Sequence, residues 1–157
     1  MKALIGLDWA LPSSYENLKQ NQALLTVAYW SSKIGLLRYF PESFYIKNQT
    51  LIESERKQYK LLAYKQLMSQ AMLNESRLVK ENAKKVPSNI NSKIPTLLLV
   101  SNGQGTSFGQ SEWQHFSEKF ASEQSNVKVI YMDVPHDLYH YKNHEVVSRI
   151  EDFLKNN

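Results

Sequence analysis

The 157 residues suit one domain with a buried core, and 42% hydrophobic with 22% charged residues is the balance of an ordinary globular chain. Cysteine is absent, which excludes disulfides, thiolate catalysis and cysteine-based zinc sites, and no apolar run is long enough to span a bilayer. The net charge of +4 comes from bases interleaved with acids, as at 53–57 and 80–85, so it reads as solvated helix faces rather than a nucleic-acid or membrane surface.

Residues 3–7 form a short apolar run ended by Asp8. One lysine precedes it and no small-residue cleavage site follows, so a buried strand is expected rather than a signal peptide, and the cytoplasm is the simplest compartment. Two sequons, at 48–50 and 74–76, are read as chance matches.

Residues 9 to 94 then separate the first strand from the second, far more than a parallel crossover needs. The stretch is helical in pattern. One helix is expected over 15–38, broken near Gln20 and Asn21 and stopped by Pro41, and a helical region, divided in two, over 50–85. The apolar stripe Tyr59, Leu61, Leu62, Tyr64, Leu67, Met68, Met72 and Leu73 reads first as core, and alternatively as a helical cap over a ligand site. A polar linker at 87–92 leads back to the sheet.

The second strand is 96–100, apolar throughout as expected when both faces are covered. A glycine-rich loop follows, then a helix in which Trp113, Phe116, Phe120 and Ala121 share a face and Ser111 stands in an N-cap position. The third strand, 127–132, carries Lys128 and Tyr131 and is expected near a sheet edge. Beyond it Val146, Val147, Ile150, Phe153 and Leu154 repeat at helical spacing. Strands alternating with helices imply an α/β fold built on a parallel sheet with right-handed crossovers.

In such sheets ligands bind beyond the carboxyl ends of the strands. Asp8, the loop 101–106 and His136 all fall there. A carboxylate beside a histidine holds the imidazole in one tautomer and stabilises its protonated form, which is what nucleophilic catalysis by a serine requires. His136, His140 and His144 recur every fourth residue, but Pro135 and the aromatic run oppose a helix that early and no acidic cluster completes a site, so no metal is expected. The run Gly105-Thr106-Ser107-Phe108-Gly109 matches G-x-S-x-G in form, although six residues separate Ser107 from the strand end, where a nucleophile elbow needs a sharp strand-to-helix turn. The start of a dinucleotide fingerprint at Gly103 and Gly105 lacks its third glycine, since Phe108 stands there, and no cofactor is expected.

The order of these pieces resembles the C-terminal portion of the α/β-hydrolase family, over essentially the whole chain. MKALIGLDW at 1–9 resembles the sixth strand and the approach to the cap, GLLR at 35–38 a cap helix, ENAK at 81–84 followed by IPTLLLV at 94–100 the cap exit and seventh strand, and 127–154 the eighth strand, the histidine loop and the last helix. The resemblance implies a partial three-strand sheet from 1–8 and 93–157 with a helical cap at 9–92. It implies acyl transfer on a small or medium hydrophobic ester or amide, with His136 as general base and His140 as the reserve one turn later. The loop after the seventh strand offers no carboxylate, so Asp8 is expected to be the acid. Trp9, Trp30 and Tyr139 are expected to line the substrate pocket. The family's nucleophile precedes everything found here, so the chain is expected to lack it and to need another chain for the missing half, or to self-associate through the bare edge of its first strand. The alternatives are an enzyme using Ser107, or a degenerate remnant serving as a binding module.

Overall fold

A computed structural model describes residues 3–40, 51–86 and 93–157. The expected stop at Pro41, the sequon at 48–50 and the linker at 87–92 lie outside the described residues. The chain divides into two compact units, Met1–Leu18 with Asn82–Asn157, and Lys19–Glu81. No helix among the described residues is long and apolar enough to cross a membrane.

The first unit is a three-stranded parallel sheet with helices on both faces. Strands β1 (Leu4–Leu7), β2 (Thr96–Val100) and β3 (Val127–Tyr131) lie in the order β1-β2-β3, with Leu4 opposite Thr96 and Thr96 opposite Val127. β2 is central and buried at every position. Its alternation sorts the core into two layers. Leu97 and Leu99 join Met132, Leu138, Val146 and Phe153 against helix α6 (Leu138–Lys155), with Ile5 and Ile130 packed on the same side. Leu98 and Val100 join Trp113, Phe116 and Phe120 of helix α5 (Gln110–Ser122), with Trp9, Val127 and Val129. This is the expected parallel sheet, and β3 is the expected half-exposed edge, ending at Tyr131. At Gly6 the α5 layer comes so close that a Cβ would stand 2.6 Å from Leu98 Cδ2 and 2.8 Å from the Trp9 ring.

The helices differ from the sequence reading at their ends. Helix α1 (Pro12–Asn17) starts three residues earlier than expected, because Pro12 suits the first turn and Ser14 Oγ donates to the Leu11 carbonyl at 2.7 Å. α5 is capped at Gly109, not Ser111: the Trp113 N–H closes its first turn on the Gly109 carbonyl at 2.9 Å, so Ser111 already lies inside the helix. Its fourth buried residue is Ser117 rather than Ala121. α6 takes in the aromatic run after Pro135 but leaves helical geometry at Lys142 (φ −140°, ψ 50°), and its buried stripe is narrower than expected, with Val147 and Leu154 half-exposed.

The second unit is helical. α2 (Gln22–Lys33) is capped by Asn21, whose Oδ1 accepts the Leu24 N–H, which accounts for the expected break there; a 3₁₀ turn (Leu36–Tyr39) follows. α3 (Glu53–Gln66) and α4 (Gln70–Lys85), whose last residues from Asn82 are counted with the first unit, are the two expected halves of the long helical stretch. The core reading of the Tyr and Met stripe is corrected: of its eight residues only Leu73 is buried, while Tyr59, Leu61, Leu62 and Met72 are exposed. Along α2 and its C-cap, Leu24, Val27, Trp30 and Ile34 are exposed apolar residues.

Candidate active site

Asp8 terminates β1 at the carboxyl edge of the sheet. Its N–H still belongs to the ladder, donating to the Leu99 carbonyl at 2.8 Å, but its own backbone turns into the left-handed region (φ 51°). Aspartate tolerates that conformation better than most residues, and here it throws the side chain under the strand ends rather than out to water. The carboxylate is buried and fully used. Oδ1 accepts the Ser101 backbone N–H at 2.7 Å and the Trp113 indole N–H at 2.9 Å, while Oδ2 lies 2.5 Å from His136 Nδ1. Strand end, loop start and helix start thus meet on one carboxyl group.

His136 follows β3 on a loop fastened to the glycine-rich loop after β2. The Asn102 N–H donates to the Val134 carbonyl, Asn102 Nδ2 to Asp133 Oδ1 at 3.0 Å, and the Gln104 N–H to Asn102 Oδ1 at 3.1 Å; the His136 N–H then donates to the Gln104 carbonyl at 2.8 Å. Gly103 makes this tight path possible: it has φ 81°, and a Cβ there would press on Trp113 Cβ at 3.1 Å. The imidazole stands edge-on to the Trp113 ring, centroids 5.8 Å apart at 89°. Its side chain is 40% exposed, against 2% for Asp8, so the pair is buried at the acid and open at the base.

The electrostatics follow from that asymmetry. Burial alone would raise the Asp8 carboxyl, but the hydrogen bonds from His136, Ser101 and Trp113 outweigh it and hold the group below the usual carboxylate range. The hydrogen bond to Asp8 raises the His136 imidazole above its ordinary value; burial opposes this, and the charges of Asp8 and Asp137 reinforce it. An ionised carboxylate only accepts, so Nδ1 carries the proton and Nε2 is left as the free, outward ring nitrogen of the neutral form. Among the described residues no side chain hydrogen-bonds Nε2.

The structure brings Asp8 and His136 together, and no hydrogen bond joins Ser107, His140 or His144 to them. Ser107 sits in an exposed bend and makes no hydrogen bond to His136; it is not at a strand-to-helix turn. His140 lies in the first turn of α6 against the Tyr139 ring (centroids 4.2 Å), and His144 lies beyond the kink at Lys142, so no continuous helix aligns the three histidines. No group of three metal-ligating side chains occurs among the described residues. The dinucleotide loop is not formed: the N–H groups of Gly103, Gln104 and Thr106 are consumed by Ser101 Oγ, Asn102 Oδ1 and the Gly103 carbonyl. Trp9 packs into the α5 layer, Tyr139 is half-exposed, and Trp30, in the helical unit, is exposed with its ring edge-on to Tyr29. An open depression of ≈ 800 Å³ runs along α5 between Gly109 and Glu118; Asp8 and His136 are not part of it, and we read it as surface relief.

Ser101 and Trp113 belong to the site and were not singled out from sequence. From sequence Trp113 reads only as part of a core face. Its signal was available, since a buried indole N–H nearly always finds an acceptor. No protein-family model, curated protein or solved structure matches this chain.

Proposed function

We propose that Asp8 and His136 are the acid and general base of a serine-type acyl-transfer centre in an α/β-hydrolase core, acting on small or medium hydrophobic esters or amides. The observation that carries the reading is the 2.5 Å pairing of Nδ1 with a buried, ionised carboxylate while Nε2 stays open at the carboxyl edge of a parallel sheet. Nε2 takes the proton of an attacking hydroxyl as its oxygen bonds to the acyl carbon, Asp8 stabilises the imidazolium, and the proton then passes to the leaving group. Among the described residues no hydroxyl hydrogen-bonds Nε2, and in this reading the serine is supplied by another chain docked along the edge strand β1.

A second reading, a non-catalytic binding module, is favoured by that same unpartnered Nε2. A fluorophosphonate probe separates them. Applied to the assembly isolated from its source cells through a tag on this chain, it should label a serine, and His136→Ala should abolish labelling. Absence of any label would leave the binding module. Labelling of the purified chain that disappears with Ser107→Ala would instead make Ser107 the nucleophile.

A further inference from the structure

Asp8 Oδ1 holds two donors of different origin. One is the Ser101 N–H, from the main chain of the β2 end, and the Ser101 side chain also helps to lower the carboxyl. The other is a side chain from α5, on a helix that contributes nothing else to the carboxylate. Trp113 is 4% exposed, its indole N–H reaches Oδ1 at 2.9 Å, and its ring meets the His136 ring edge-on. It touches both members of the pair, and its remaining surface is fixed by Phe108 (5.8 Å, stacked at 22°) and Phe116 (6.5 Å, at 89°). With both donors on Oδ1, the carboxylate plane is set and Oδ2 alone is presented to Nδ1.

We propose that Trp113 is a positioning residue of this site, its indole N–H locking the Asp8 carboxylate in the rotamer that pairs with His136 and its ring bracing the imidazole at right angles. The inference rests on Asp8 and His136 being the acid–base pair proposed above, and it adds a requirement for α5 that neither residue carries by itself. Asp137, whose charge helps to raise His136, and Asp133, held by Asn102, are the other acidic groups near the pair, and neither hydrogen-bonds Trp113 or the Asp8 carboxylate.

The test is carboxyl and imidazole NMR on the full chain. Trp113→Phe keeps an aromatic ring in the cluster and removes the donor; a benzothienylalanine at 113, which replaces the indole N–H by sulfur at nearly constant shape, covers the case in which Trp113→Phe fails to fold. Losing a hydrogen bond to an anion should raise the Asp8 titration midpoint by about one pH unit or more. Phe116→Leu damages the same cluster without touching Asp8 and should leave that midpoint in place. An unchanged midpoint in the benzothienyl protein overturns the proposal, and so does an equal shift in Phe116→Leu, which would make Trp113 packing only. If His136 titrates identically in the natural protein and in Asp8→Asn, the acid–base reading itself falls, whatever Trp113 does.

Discussion

Asp8 and His136 stand 128 residues apart in the chain and 2.5 Å apart at their side-chain ends. The sheet closes that distance: β1 pairs with β2, β2 with β3, and the loops leaving β2 and β3 are stitched by Asn102. The acid end of the pair is sealed and the base end is open, the arrangement that a proton-accepting histidine requires.

The pairing predicts a pH signature. Since the His136 value is raised by Asp8, Asp8→Asn should lower its titration midpoint toward or below the ordinary histidine value, about 6.5. Imidazole proton NMR reads this directly, and an unmoved midpoint would mean the pair is not coupled.

Stability should follow the same two groups. The raised His136 contributes stabilisation that is complete below the unfolded histidine value and is lost as pH rises through its raised folded value. The lowered Asp8 contributes stabilisation that is complete above the unfolded aspartate value and is lost as pH falls through its lowered folded value. The pair therefore supports the fold most between about pH 4 and 6.5, where both partners are charged in either state. Urea midpoints across pH 3–9 should show this maximum flatten in Asp8→Asn. Turnover in the complete assembly should run the other way at the upper end, rising with pH as His136 loses its proton.

Asp8→Ala should cost about 2–4 kcal/mol in urea denaturation, because it leaves the Ser101 N–H and the Trp113 indole N–H buried without an acceptor. His136→Ala should abolish turnover in the assembly. It also strips Oδ2 of its partner, so a smaller loss of stability accompanies it, and a loss as large as that of Asp8→Ala would show that the histidine is structural.

Gly6→Ala places a methyl 2.6 Å from Leu98 Cδ2 and against the rigid Trp9 ring. Leucine can yield and the indole cannot, so a destabilisation of about 1–3 kcal/mol is expected. A neutral result by thermal melting would mean that Trp9 is free to swing away from β1.

Asn102→Ala removes the side-chain bonds to Asp133 and Gln104 that fasten the two loops. Exchange of the His136 amide, which donates to Gln104, should speed by roughly five-fold or more for a loss of about 1 kcal/mol. Unchanged exchange would assign the loop's rigidity to its backbone bonds alone.

The strands were readable because residues buried on both faces, such as 97–100, form a continuous apolar run, and the site's two poles because each lies just beyond a strand. Ser111 misled because serine caps well in general, yet the turn closes wherever the first i−4 carbonyl is free, and that was Gly109. The helical stripe around Tyr59 and Leu62 misled for a different reason: apolar spacing marks a face that can be buried, not one that is. Trp113 was hidden inside a correct assignment. Its position on the core face was evident, but periodicity says nothing about where an indole N–H points.

Among the described residues β1 is held to the sheet by a single ladder, with β2, and Asp8 is the residue directly after it. The outermost strand is thus also the stalk of the acid. Fraying of Leu4–Leu7 would loosen the backbone that carries the carboxylate to the imidazole, so the ladder with β2 also holds the base in its paired state.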